Sequence, residues 1–132
     1  MKKIILCVDD EKIVLNSLKS QLKNKFGSQY RYEVAESASE AMEIIEEIHD
    51  EYESPVMLII VSDWLMPEMK GDEFLIQVHK KYPNTIKMML TGQADEDAIE
   101  RAKQYANLRK CLAKPWNEQE LLEDIYNALE QK

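Results

Sequence analysis

The sequence predicts an open α/β fold in which five parallel strands alternate with five helices, and three observations carry that reading. Short β-rich apolar runs alternate with longer stretches of helical spacing from one end of the chain to the other. The central run, residues 56–61, is wholly apolar, which suits a parallel strand covered on both faces. No repeat, low-complexity tract or linker interrupts the alternation, so residues 1–132 read as a single domain.

The strands are expected at residues 3–8, 32–35, 56–62, 86–90 and 110–113. Between them, Leu15, Leu18 and Leu22 share one face of a first helix, and Ala38, Ala41, Ile45, Ile48 and Tyr52 share one face of a second. Gly71, Phe74, Val78 and Tyr82 mark a third, Ala98, Ile99, Ala102 and Tyr105 a fourth, and Leu121, Leu122, Ile125 and Leu129 a fifth. Ser37 with Glu40, and Asn117 with Glu120, have the spacing at which a side-chain oxygen caps a first turn while the glutamate reaches back. Seven acids and no lysine or arginine between Glu40 and Glu53 read as a solvated face of the second helix.

Composition bounds the function. The 132 residues include 25 acids and 17 bases, a formal charge of −8, with 45% apolar residues and only three glycines and four prolines. That is enough chain for a core, too apolar for a disordered tail and too poor in glycine and proline for a linker. The negative balance argues against direct nucleic-acid binding. The longest apolar run, six residues, falls far short of the roughly 18 a spanning helix needs, so no membrane contact is expected. Lys2 and Lys3 precede an apolar stretch of five residues that runs into Asp9; a signal core needs about 7–15, so a cytoplasmic location is expected. Cys7 and Cys111 lie in strand-like segments and read as reduced core thiols. The fifth helix reaches Lys132 with no glycine or proline stop, which leaves open that the chain is the N-terminal part of a longer multidomain protein.

In an open parallel sheet, ligands bind beyond the carboxyl ends of the strands. The first strand ends in Asp9-Asp10, the third in Asp63, the fourth in Thr91 and the fifth in Lys114-Pro115. Each has an ordinary alternative: Asp9 and Asp10 as helix caps, Asp63 as a turn residue before Pro67, Lys114 as a surface charge. Taken together, three carboxylates at one edge repel one another unless something positive intervenes. Their formal −3 is balanced by a divalent cation with Lys114. A few carboxylates with vacant positions suit magnesium better than calcium or zinc, and His49 and His79 fall within helices as ordinary surface or half-buried residues. Asp63 stands alone after a buried strand, placed to attack phosphorus, with Lys114 and the Thr91 hydroxyl available to the phosphoryl group and Gly92 leaving room beside it.

These residues closely resemble the receiver domain of two-component response regulators, chemotaxis-regulator-like and of the kind whose last motif is Lys-Pro-Trp. The matching elements are Val8-Asp9-Asp10-Glu11, the stretch from Asp63 through Met66-Pro67 and Met69 to Gly71, Leu90-Thr91-Gly92 and Lys114-Pro115-Trp116. The resemblance spans the chain and implies a flavodoxin-like sheet of strand order 2-1-3-4-5. It also implies Asp63 as phosphoacceptor from a histidine kinase or phosphotransfer protein, and magnesium held by Asp10, Asp63 and the Leu65 backbone carbonyl, with Asp9 acting through water. Thr91 and Lys114 would sense and hold the phosphoryl group, the bond before Pro115 would be cis, and the fourth helix, fifth strand and fifth helix would form the face that meets an output domain or target protein. A homodimer is a further assembly the resemblance allows. Such a domain catalyses only its own phosphorylation and dephosphorylation.

Two positions depart from the family pattern. Cys111 stands where a tyrosine or phenylalanine usually serves as a rotating switch; a thiol cannot sweep that volume, which leaves backbone movement of the Thr91 loop as the route. Leu65, with Gln93, flanks the path of the hydrolytic water, and an apolar flank predicts slower loss of phosphate. Two other readings stay open on the residues: a receiver-like interaction module that takes no phosphate, and an aspartate-nucleophile phosphohydrolase, although the latter usually carries its D-x-D pair on the first strand.

Overall fold

Alternating apolar strands and amphipathic helices fold as a parallel sheet wrapped on both faces. The computed structural model describes residues 1–93 and 95–130. Its elements run β1 (Lys2–Val8), α1 (Lys12–Phe26), a short 3-10 turn (Gly27–Gln29), β2 (Arg31–Ala35), α2 (Ala38–Glu51), β3 (Val56–Asp63), α3 (Gly71–Lys81), β4 (Ile86–Thr91), α4 (Glu96–Ala106), β5 (Lys110–Ala113) and α5 (Glu118–Glu130). The sheet order is β2-β1-β3-β4-β5, with every neighbouring pair parallel. The architecture is the flavodoxin-like one expected.

Strand periodicity sorts the core into two layers. Ile4, Leu6 and Val8 of β1 face α2, α3 and α4, whereas Ile5 and Cys7 face α1 and α5. Full burial of one such aliphatic side chain contributes about 1.5–3 kcal/mol before conformational entropy is set against it. The register pairs Val8 with Ser62, Asp63 with Leu90 and Thr91 with Ala113, so the carboxyl ends of β1, β3, β4 and β5 lie along one rim.

The starts of α2, α4 and α5 follow side-chain chemistry, whereas α1 and α3 begin without a side-chain cap. Ser37 Oγ accepts from the Glu40 amide at 3.1 Å and Asn117 Oδ1 from the Glu120 amide at 2.9 Å. Glu40 reaches back one residue beyond the cap, accepting from the Glu36 amide at 3.1 Å. Asp95 caps α4 through the Asp97 and Ala98 amides. All seven acids between Glu40 and Glu53 are exposed, with Glu46 paired to Lys81 and Glu51 to Arg31. One expectation fails: Tyr105 is 53% exposed. The buried face of α4 is Ala98, Ala102 and Ala106, a stripe of every fourth residue that turns Tyr105 outward. Two strands also extend one residue further than the apolar pattern shows, ending on Asp63 and Thr91 themselves.

Candidate functional site

Sheet register determines what gathers at the rim. Asp9 follows β1, its amide donating to the Ala35 carbonyl at 3.1 Å, and its side chain is fully buried. Asp63 ends β3 and is 6% exposed, while Asp10 lies in solvent. One carboxylate oxygen from each of the three comes within 4.8 Å of the others. Neither Asp9 nor Asp10 caps α1 through its side chain; Asp9 Oδ1 instead accepts from the Glu11 amide at 2.9 Å, closing the turn before the helix.

Lys114 enters this acidic cluster from the end of β5. Its Nζ donates to Asp9 Oδ2 at 2.7 Å and lies 3.1 Å from Asp63 Oδ1. Its own amide donates to the Thr91 carbonyl at 2.9 Å, and the Lys114–Pro115 peptide is cis. Burial pushes the Asp63 carboxyl above its ordinary pKa; Lys114 opposes that shift, while Asp9 and Asp10 add to it. For Lys114, burial works against the ammonium, but its bonds to Asp9 and Asp63 outweigh burial and leave its pKa above the ordinary value.

The loop after Asp63 is tightly tied. The Trp64 amide donates to the Leu90 carbonyl at 2.9 Å, and the Gly71 amide donates to the Trp64 carbonyl at 2.7 Å. A Cβ on Gly71 would lie 2.3 Å from the Asp63 carbonyl oxygen, so only glycine permits α3 to begin this close to β3. Its apolar-face spacing pointed to a helix position and missed this approach. Leu65 is 53% exposed. With Asp10, Asp63, Pro67, Gln93 and Lys114 it lines an open cleft of about 610 Å³.

Across the cleft, the Thr91 hydroxyl accepts from the Gln93 amide at 3.1 Å and donates to the Gln93 carbonyl. Open space surrounds Gly92 where a side chain would stand. Cys111 is half-buried, burial pushes its thiol above the ordinary pKa, and it faces a second cleft between β5 and α4 with Ile99 and Lys103.

Residues 5–126 match the Response regulator receiver domain family. The chain belongs to that family. This receiver is 28% identical over 126 residues to the hydrogenase transcriptional regulatory protein HoxA of Cupriavidus necator, a match covering 96% of this chain and 24% of that protein. It therefore spans about a quarter of the length of that relative. Among solved structures, the signal receiver domain of an HD domain-containing protein from Pseudomonas fluorescens superposes with a TM-score of 0.85 at 29% identity, covering 98% of this chain and 96% of the other. A CheY-like response regulator receiver domain protein from Methanospirillum hungatei gives 0.83 at 31% identity, with 99% and 96% covered.

The protein is thus a receiver domain of two-component signalling, a class whose partners are histidine kinases. Its acidic triad is typical of a magnesium-binding receiver site, and the donor set fits: hard carboxylate oxygens within reach of one another, partly open to water. Among the described residues, no helix is long and apolar enough to cross a membrane.

Proposed function

We propose that Asp63 accepts a phosphoryl group from a histidine kinase or phosphotransfer protein, and that the resulting charge switches the face formed by α4, β5 and α5. The supporting observation is Lys114, whose ammonium bridges Asp9 and Asp63 at the floor of an open cleft. A carboxylate oxygen of Asp63 attacks phosphorus, the bond to the donor's imidazole nitrogen breaks, and the imidazole leaves with the electron pair. Lys114 accompanies Asp63 throughout and pairs with the incoming oxygens. Thr91 exchanges its bond to the Gln93 carbonyl for one to the phosphoryl group. Asp10, Asp63 and the Leu65 carbonyl would hold magnesium, with Asp9 through water, and the ion would offset the charge brought together in the transfer.

Phosphorylation replaces one carboxylate charge with roughly −2 and three acceptor oxygens. Thr91 and Lys114 then have a new partner, the differential interaction a population shift requires. Leu65 and Gln93 flank the approach of the hydrolytic water and set the adduct's lifetime. The chain acts on itself alone rather than as a turnover enzyme. It belongs with the Lys-Pro-Trp receivers through Lys114-Pro115-Trp116, forms one domain over residues 1–132 of what can be a longer cytoplasmic protein, and meets its output domain, target or a second copy through the α4–β5–α5 face.

Incubation with acetyl phosphate and magnesium tests the reading. A labile phosphoryl adduct is expected by intact mass in the wild type and not in Asp63→Ala. No adduct in the wild type would sink the phosphoacceptor role in favour of an interaction module.

A further inference from the structure

Asp72 lies in the first turn of α3, 1% exposed, with both carboxylate oxygens in use. Oδ1 accepts from the indole Nε1 of Trp64 at 3.0 Å, and Oδ2 from Arg101 Nε of α4 at 3.3 Å. Trp64 directly follows Asp63, and its main chain is bonded to Leu90 on one side and Gly71 on the other. With Gly71 packed against the Asp63 carbonyl, the peptide carrying Asp63 and the first turn of α3 shift together rather than separately. Helix α4 is capped within its own first turn by Asp95 and tied to α3 in its middle by Arg101.

We propose that Asp72 is a positioning residue that couples the state of Asp63 to the position of α4, through Trp64 on one side and Arg101 on the other. The inference deepens the function proposed above and rests on Asp63 as the phosphoacceptor. It supplies what this chain lacks at Cys111, where no aromatic ring is present to rotate. The physical basis is that neither partner leaves Asp72 cheaply. A buried carboxylate stripped of its cation is strongly destabilised, so Arg101 follows Asp72 when α3 shifts. A buried indole N–H needs an acceptor, so Trp64 follows as well. The Arg101 side chain is 52% exposed, so it has room to travel with Asp72 when phosphorylation moves the Asp63–Trp64 peptide. A continuous chain of such contacts can carry coupling between two sites.

The test uses the full chain and three variants: Asp72→Asn, Arg101→Gln and the conservative Arg101→Lys. Each is treated with acetyl phosphate and magnesium, adduct stoichiometry is read by intact mass, and amide hydrogen exchange over residues 96–106 is compared with and without the adduct. Wild-type exchange over that segment is expected to change on phosphorylation. Asp72→Asn and Arg101→Gln are expected to form the adduct to wild-type stoichiometry yet lose most of that change, and Arg101→Lys to retain part of it. Full adduct with an undiminished α4 response in Arg101→Gln overturns the coupling, even should Asp72→Asn fail to fold. A lowered melting temperature with an intact α4 response marks a purely structural role and overturns it too. A wild type that forms the adduct with no change over 96–106 overturns the coupling alone, whereas a wild type that forms no adduct overturns the phosphoacceptor reading beneath it.

Discussion

Two lysines reach into the protein at opposite edges of the same sheet, and their surroundings treat the ammonium in opposite ways. Lys114, at the carboxyl rim, meets Asp9 and Asp63, and its pKa stands above the ordinary value despite burial. Lys87, near the start of β4, is fully buried, donates to the Thr85 carbonyl at 2.7 Å and lies 2.9 Å from His79 Nδ1. Burial pushes its pKa down to about 8. His79 is lowered as well, by burial and then by the Lys87 charge. Dipoles and a neutral imidazole hold a buried ammonium less firmly than two carboxylates do. The acidic rim is therefore a place built to keep charge, and the opposite edge one that merely tolerates it.

Removing the rim cation should have the largest effect. Lys114→Met leaves three carboxylates facing the incoming phosphoryl oxygens, and adduct formation with acetyl phosphate should slow by about 100-fold. An unchanged rate would dissolve the contrast between the two lysines. Gly71→Ala, which drives a Cβ into the Asp63 carbonyl, should lower unfolding stability in urea by at least about 2 kcal/mol.

At the other edge the sign reverses. Because the folded pKa of Lys87 lies below its unfolded value, its burial costs stability wherever both states are protonated, below about pH 8. The cost fades as pH rises towards the unfolded value, since there the unfolded chain binds the extra proton. Lys87→Met should therefore stabilise the protein by about 1–2 kcal/mol at pH 7, with the gain shrinking by pH 10 in chemical denaturation. A loss of stability at pH 7 would mean that the bonds to Thr85 and His79 outweigh burial. The smallest change is expected from Leu65→Asn, where a polar group beside the water's path should shorten the adduct's lifetime roughly several-fold.

Local chemistry made much of the site legible in advance. Short apolar runs located every strand to within one residue at its carboxyl end, because a parallel strand covered on both faces buries consecutive side chains. The acids at strand ends could be read because a parallel sheet delivers all those ends to one rim. Helix faces were less secure: Tyr105 satisfies a helical spacing with Ala98 and Ala102, yet small alanines pack that interface and leave the ring outside.

By itself, then, the sequence determined the order of strands and helices, the solvent-facing acids of α2 and the identity of the groups that crowd the rim, all properties of neighbours along the chain. Tertiary structure alone decided the burial of Lys87, the close approach at Gly71 and the Trp64–Asp72–Arg101 chain. Those contacts join residues up to 29 positions apart through hydrogen bonds whose partners leave no periodic trace. A polar residue declares its charge in the sequence, but its partner is settled only when the helices come together.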